Sequence, residues 1–360
     1  MISLISLLTA TVLAVTLAIA PSAAVARETH PFQNPRLPVD VRVEDLLKRL
    51  TLDEKVSLLH QYQPAIPRLG IKRFKTGTEA LHGMAWSTDI NSNPPGAVRT
   101  ATATVFPQSV GLGATWNPAL MRQVGSVVGT EARGFNKENS DLWGLQLWAP
   151  VVNLLRDPRW GRNEEGYSED ALLTGTLATA YGKGITGDDP RHLKAAPVLK
   201  HYLANNNEIR RDTANSSLRP RVKKEYDEVP FKMPISNDAA TGVMTAYNLI
   251  NGRPATAHGD MRDVVRSWTD KTLFNVSDAG GPNNLIGSQG YYATRAEGDA
   301  ATLKAGVDSF TVDDANSGPT IAAVKEALSR GLLAESDVDT AVRHILSIRV
   351  RLGEFDRDGG

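Results

Sequence analysis

Leu273-Phe274-Asn275-Val276-Ser277-Asp278-Ala279-Gly280-Gly281 runs from a short apolar segment into a carboxylate and then into glycine. A short apolar run bounded by turn residues reads as a buried strand, and the carboxylate then stands at the strand's C-terminal end. The same order recurs along the chain. Gln146–Val152 leads into a charged loop containing Arg162, Ala195–Leu199 into Lys200-His201, Gly242–Ala246 into Tyr247-Asn248, and Val307–Val312 into Asp313-Asp314. Weaker strand candidates lie near Phe74 and Val105. Helical spacing separates these runs, over Asp170–Lys183, Arg219–Asp238, Met261–Trp268 and Thr294–Ala305, after Ser317-Gly318-Pro319, and over Val338, Ala341, Val342, Ile345 and Leu346. Sustained strand–helix alternation predicts a parallel α/β architecture. A doubly wound sheet would show a glycine-rich phosphate loop after its first strand, and the sequence has none. Polar groups gathered from the ends of many strands instead predict a (β/α)8 TIM-type barrel. About seven strands are legible, so its closure is expected to be irregular.

Nearer the start, Val43, Leu46, Leu47 and Leu50 repeat at helical spacing, and Thr51-Leu52-Asp53-Glu54 is a capping-box pattern that opens a second helix. The first 26 residues carry no charge. The apolar stretch from Ile2 to Ala20, followed by Pro21 and Ala24-Val25-Ala26, reads as a signal peptide cleaved after Ala26, and hence a secreted protein. The other reading is an uncleaved anchor, since the stretch approaches the ~18 apolar residues that a spanning helix needs. Residues 27–356 then form the barrel, and 357–360 look like the start of a linker.

Composition excludes several classes. The 360 residues hold 40 Lys+Arg against 40 Asp+Glu, so nothing favours nucleic acid or an anionic membrane as partner. With 41% hydrophobic and 22% charged residues the chain is globular. There is no Cys, which removes disulfides, thiolate metal sites and a cysteine nucleophile. No H-E-x-x-H, paired ligand histidines or G-x-S-x-G occurs, so neither a zinc site nor a serine hydrolase is indicated, and no cofactor is called for. Asp313-Asp314 is more simply a strand-end turn than a calcium site.

Among the chemically capable residues, Asp278 can stand free at a barrel mouth, although the same pattern also suits an Asx-turn or helix cap. Lys200 and His201 are adjacent. Neighbours on a regular strand face opposite sides, so both reach one site only if the strand end is irregular; otherwise they are a surface Lys beside a packed His. The run Arg156–Asp170 packs charges of both signs around Trp160. Guanidinium groups and an aromatic plane suit a polyhydroxylated ligand, while a solvated, salt-bridged loop is the alternative.

That run resembles the signature loop of family 3 glycoside hydrolases, exo-acting β-glycosidases of β-glucosidase and β-xylosidase type. Leu46–Lys55 (LLKRLTLDEK), Thr78–Gly83 (TEALHG), Phe106–Trp116 (FPQSVGLGATW), Lys200-His201, Gly242–Asn251 (GVMTAYNLIN) and Val276–Asp278 agree with the family in order. The resemblance implies a (β/α)8-type first domain and a β-linked oligosaccharide or aryl glycoside as substrate, with glucose or xylose released from the non-reducing end. It implies Asp278 as nucleophile, Arg162, Lys200 and His201 on hydroxyls of the −1 sugar, Glu79 on its non-reducing end, and Met244 and Tyr247 close beneath. Lys200 and Arg162 are expected to help keep Asp278 ionised. Two departures stand out. Ala279 occupies a position where the family often has an aromatic residue of the +1 subsite. The acid/base Glu of multidomain members comes from a second domain, which is absent from this chain, and no histidine follows in the loop Tyr202–Asp212 where single-domain relatives carry one. Glu208 is the in-chain candidate for acid/base or for support of the −1 site. A sugar-binding barrel with little turnover is the alternative function.

Overall fold

The computed structural model describes residues 30–93, 95–312 and 316–357. The leader, Asp313-Asp314 and residues 358–360 lie outside the described residues.

Strands β1 (Tyr62–Gln63), β2 (Phe74–Thr78), β3 (Gln146–Leu147), β4 (Ala196–Tyr202) and β5 (Gly242–Thr245) form one five-stranded sheet in that order. β1 runs antiparallel to β2, and the remaining pairs are parallel. Pairing then continues through single bridges, Met244 with Val276 and Val276 with Ser309, and Phe310 bridges His60 just ahead of β1. The sheet is therefore curled back toward its own first edge.

The α/β architecture is present, but eight parallel strands are not seen among the described residues. The segments around Val276 and Ser309 stay as bridges because side chains replace ladder rungs there. Val243 N donates to Asn275 Oδ1 at 3.0 Å, and Asn275 N donates to Asp308 Oδ2 at 2.8 Å. Val105 belongs to no strand; it is exposed in an irregular stretch tied down by Phe106 N donating to His82 O at 2.8 Å.

Helices α1 (Val39–Arg49), α2 (Leu52–Ser57), α3 (Pro118–Glu138), α4 (Ala171–Thr186), α5 (Val229–Ser236), α6 (Arg295–Lys304), α7 (Gly318–Ser329) and α8 (Glu335–Arg351) accompany the sheet. The capping box opens α2: Thr51 Oγ1 accepts from Glu54 N at 3.2 Å, and Thr51 N donates to Glu54 Oε2 at 2.8 Å. The continuous helix expected over Arg219–Asp238 is broken into a short turn, a π-turn at Lys223–Asp227 and α5. Pro230 and Pro234 lack the N–H that a regular ladder needs. Likewise Met261–Trp268 resolves into a four-residue helix, Asp260–Asp263, and a 3-10 turn.

α3 is not among the helices that the spacing predicts. Asn117 caps it, accepting from Leu120 N at 3.0 Å, and Pro118 opens it. Gly125 and Gly129 break its apolar stripe because α4 lies too close for side chains: a Cβ at Gly125 would fall 2.1 Å from Tyr181 O. The core is one cluster reaching from Phe32 to Phe355. The two ends of the described chain meet where Arg42 pairs with Asp356 and Phe32 packs edge-on against Phe355.

Candidate active site

Because β2 to β5 are parallel, their C-terminal ends open on one side of the sheet, and the candidate residues follow those ends. Glu79 comes directly after β2, Lys200 and His201 sit near the end of β4, Met244 lies in β5 with Tyr247 just beyond, and Asp278 follows the Val276 bridge. Arg162 comes from the loop between β3 and α4. The Lys200-His201 pair serves one site because β4 is irregular there. Its register with β5 shifts between Leu199 and Tyr202.

Lys200 is buried, and its Nζ donates to both Glu79 oxygens at 2.9 Å. His201 is fixed by Asn153. Asn153 Oδ1 accepts from the His201 backbone N at 2.9 Å and faces Nδ1 at 3.1 Å, while Asn153 Nδ2 donates to His201 O at 3.1 Å. Burial, reinforced by Arg162, Lys200 and Arg211, holds this imidazole well below its ordinary range, so it is neutral. With Nδ1–H given to Asn153, Nε2 is an acceptor, and Arg162 Nη2 lies 3.3 Å from it. Arg162 is itself clamped by Glu165, at 2.8 Å from Nε and 2.7 Å from Nη2. Burial works against its charge, but Glu165, Asp278 and Glu208 outweigh that and raise its pKa further.

Asp278 is buried, with Oδ1 accepting from Ala279 N at 2.8 Å and Oδ2 lying 3.7 Å from His201 Nε2. Burial pushes its carboxyl up to about 6, while Lys200, the Ala279 amide, Arg162 and Tyr247 pull downward without cancelling it. The two cations therefore act in the expected direction but do not hold Asp278 at an ordinary carboxylate pKa. Burial wins.

Tyr247 donates its hydroxyl to Ala279 O at 2.7 Å, and the Arg211 guanidinium covers its ring 4.4 Å from the centroid. Met244 is fully buried beside the Val276 segment. Glu208 has both oxygens engaged: Oε1 accepts from Trp160 Nε1 at 3.0 Å and Oε2 from Arg211 Nη1 at 3.0 Å. It braces the Trp160 loop. Asn153 and Arg211 were not legible in the sequence, since neither lies in a pattern that marks chemistry; Asn153 reaches His201 across 48 residues of chain.

The chain matches the model of "Glycosyl hydrolase family 3 N terminal domain" over residues 80–348. It is 35% identical over 339 residues to Beta-D-xylosidase 1 of Arabidopsis thaliana, covering 92% of this chain and 42% of that protein. It is 34% identical over 343 residues to Xylan 1,4-beta-xylosidase of Xylanibacter ruminicola, covering 91% and 38%. The chain thus spans less than half the length of these curated relatives. Among solved structures it is similar to a GH3 exo-beta-xylosidase in complex with a xylobiose aziridine activity-based probe, with TM-score 0.82, 27% identity, and coverage of 92% and 42%. Beta-glucosidase 3B from Thermotoga neapolitana in complex with alpha-D-glucose superposes with TM-score 0.71 at 27% identity, covering 87% and 43%. With its motifs on the strand ends and the family match spanning most of its length, the chain belongs to glycosyl hydrolase family 3 and carries that family's N-terminal domain.

Proposed function

We propose that the protein is an exo-acting β-glycosidase, whose site holds the non-reducing terminal xylosyl or glucosyl residue of a β-linked substrate. A carboxylate oxygen of Asp278 attacks the anomeric carbon, the C1–O bond to the leaving group breaks, and a covalent glycosyl–Asp278 ester forms. Water later cleaves that ester with retention. The observation that carries this reading is the buried Asp278 set among neutral His201, Lys200 and Arg162. The Lys200–Glu79 pair and Arg162 offer charged hydrogen-bonding groups for sugar hydroxyls, and Met244 and Tyr247 lie beside the nucleophile's strand. The xylosidase names of the relatives at about 35% identity favour xylosyl, while the β-glucosidase neighbour supports glucosyl.

Glu208 is a poor proton donor to a leaving group, since Trp160 and Arg211 already occupy both of its oxygens. General acid catalysis contributes ~10²–10⁴-fold, most of all for a poor leaving group. The 360-residue chain by itself is therefore expected to cleave a dinitrophenyl xyloside or glucoside measurably and the matching disaccharide barely. Azide is expected to speed the second step, because it attacks the ester without a general base. A 2-fluoro glycoside should leave its label on the peptide containing Asp278. A label on another carboxylate refutes the nucleophile assignment, and full activity on the disaccharide would place an acid/base residue in this chain, with Glu208 first to mutate. Binding without turnover of either substrate would make a sugar-binding barrel the better account.

A further inference from the structure

Asp278 is carried by an extended segment that joins its neighbours through single bridges, Val276 with Met244 of β5 on one side and with Ser309 on the other. So short a pairing specifies register weakly, and a slip of one residue sends every side chain to the opposite face. Residues two apart share a face, so Asp278 keeps the direction of Val276 only in the observed register. A slip would turn its carboxylate away from His201, whose Nε2 lies 3.7 Å from Oδ2.

Side chains supply the pinning that this backbone lacks, three residues before the nucleophile. Asn275 and Asp308 are both buried. Asn275 reaches to either side of its strand: Oδ1 accepts from Val243 N of β5 at 3.0 Å, and Nδ2 donates to Gly306 O at 3.3 Å. Asp308 grips Asn275 twice. Its N donates to Asn275 O at 2.9 Å, and its Oδ2 accepts from Asn275 N at 2.8 Å. The Asp308 carboxylate is fixed in turn by Arg266 Nη2, 2.9 Å from Oδ1 and 2.7 Å from Oδ2, and by His344 Nδ1 of α8, 2.7 Å from Oδ1. Arg266 Nη1 returns to the nucleophile's own segment, donating to Leu273 O at 2.7 Å. A backbone ladder repeats at every rung, so neighbouring registers resemble one another. An amide and a carboxylate at fixed positions fit one register alone.

We propose that Asn275 and Asp308 are positioning residues for the nucleophile: together they pin the register of the segment that carries Asp278, and so aim its carboxylate at the anomeric carbon. This rests on the glycoside reading above and adds to it the residues through which the fold directs the attack. Neither residue touches the sugar. Their effect falls on the rate of attack, because a reacting group must be held close to its productive geometry.

The test compares the full chain with Asn275→Val, Asn275→Ala and Asp308→Asn. Turnover of a dinitrophenyl xyloside or glucoside and inactivation by the matching 2-fluoro glycoside are measured per folded molecule, well below each melting temperature. Val is a strong strand former, so Asn275→Val removes the pin while favouring an ordinary ladder. Both Asn275 variants should lower kcat and the inactivation rate about 10- to 100-fold, as expected of a nucleophile misplaced by ~1 Å. Their sugar Kd should stay within about twofold of the parent, because Lys200, Glu79 and Arg162 sit on other elements. Asp308→Asn keeps an oxygen for Asn275 N. Its kcat should stay within about threefold of the parent, even as its melting temperature falls with the charge lost beside Arg266. The proposal is overturned if a folded Asn275 variant matches the parent in kcat. It is equally overturned if kcat across the three variants simply follows melting temperature, which is the mark of a purely structural role. A parent chain with no turnover and no label on Asp278 would instead bring down the glycoside reading itself, and this aiming role with it.

Discussion

Asp278→Asn is expected to lower turnover of a dinitrophenyl xyloside or glucoside by roughly four orders of magnitude or more, and to abolish labelling by a 2-fluoro glycoside. An amide in place of the carboxylate cannot form the glycosyl ester, and removing the nucleophile of a covalent mechanism costs on this scale. Sugar binding should survive, because Lys200, Glu79 and Arg162 are untouched. Loss of binding together with turnover would show Asp278 to be a structural residue.

The same variant carries a stability signature whose sign is set by burial. The Asp278 carboxyl is raised from 3.8 to about 6, so the folded protein favours the protonated form. Stability associated with that form is complete below the ordinary pKa and is lost as pH rises through about 6. At about 1.4 kcal/mol per unit, the loss is no more than about 3 kcal/mol. Asp278→Asn, which never ionises, should therefore melt higher than the wild type at neutral pH and alike near pH 3.8. Turnover of the aryl glycoside should climb with pH through about 6 as the nucleophile ionises. His201 adds no limb there, since burial keeps it neutral throughout. A flat profile across pH 5–7 would contradict the assignment of that carboxylate.

Lys200→Ala has the second large effect, because it strikes binding and folding together. Lys200 Nζ serves both Glu79 oxygens at 2.9 Å, and both side chains are largely shielded from water. Removing one partner of a buried pair leaves an uncompensated charge, typically a loss of 3–5 kcal/mol. Recognition should also fall, by about 10²–10³ in kcat/KM, since the proposed cationic donor to the sugar is removed and Glu79 is left without its counter-ion. The two losses can be separated. Lys200→Met combined with Glu79→Gln neutralises the pair, so the melting temperature should recover substantially while sugar binding stays lost. Recovery of binding in that double variant would mean that the ion pair serves the fold alone.

The candidate site was legible in the sequence wherever its chemistry sits on a local pattern. Asp278 follows an apolar run, Lys200-His201 ends another, and Arg162 lies in a loop too charged for a core; in the structure these residues are gathered at one end of the sheet. Local periodicity also marks strand and helix order, because alternation and 3.6-residue spacing follow directly from backbone geometry. It missed α3, whose Gly125 and Gly129 interrupt the apolar stripe for the sake of contact with α4.

By itself, then, the sequence determined the α/β class and the identity of the groups at the strand ends, since both depend on residues a few positions apart. Tertiary structure alone decided which of those groups meet and in what state of charge. Among the described residues an antiparallel β1–β2 pair and a Phe310–His60 bridge stand where a parallel ring was expected, because pairing register is set by partners distant in the chain. Asn153 selects the His201 tautomer from 48 residues away, and Glu79 takes Lys200 as its partner across 121. Burial raises Asp278 despite two nearby cations, a balance that no local pattern contains, because desolvation depends on everything that surrounds the carboxylate in space.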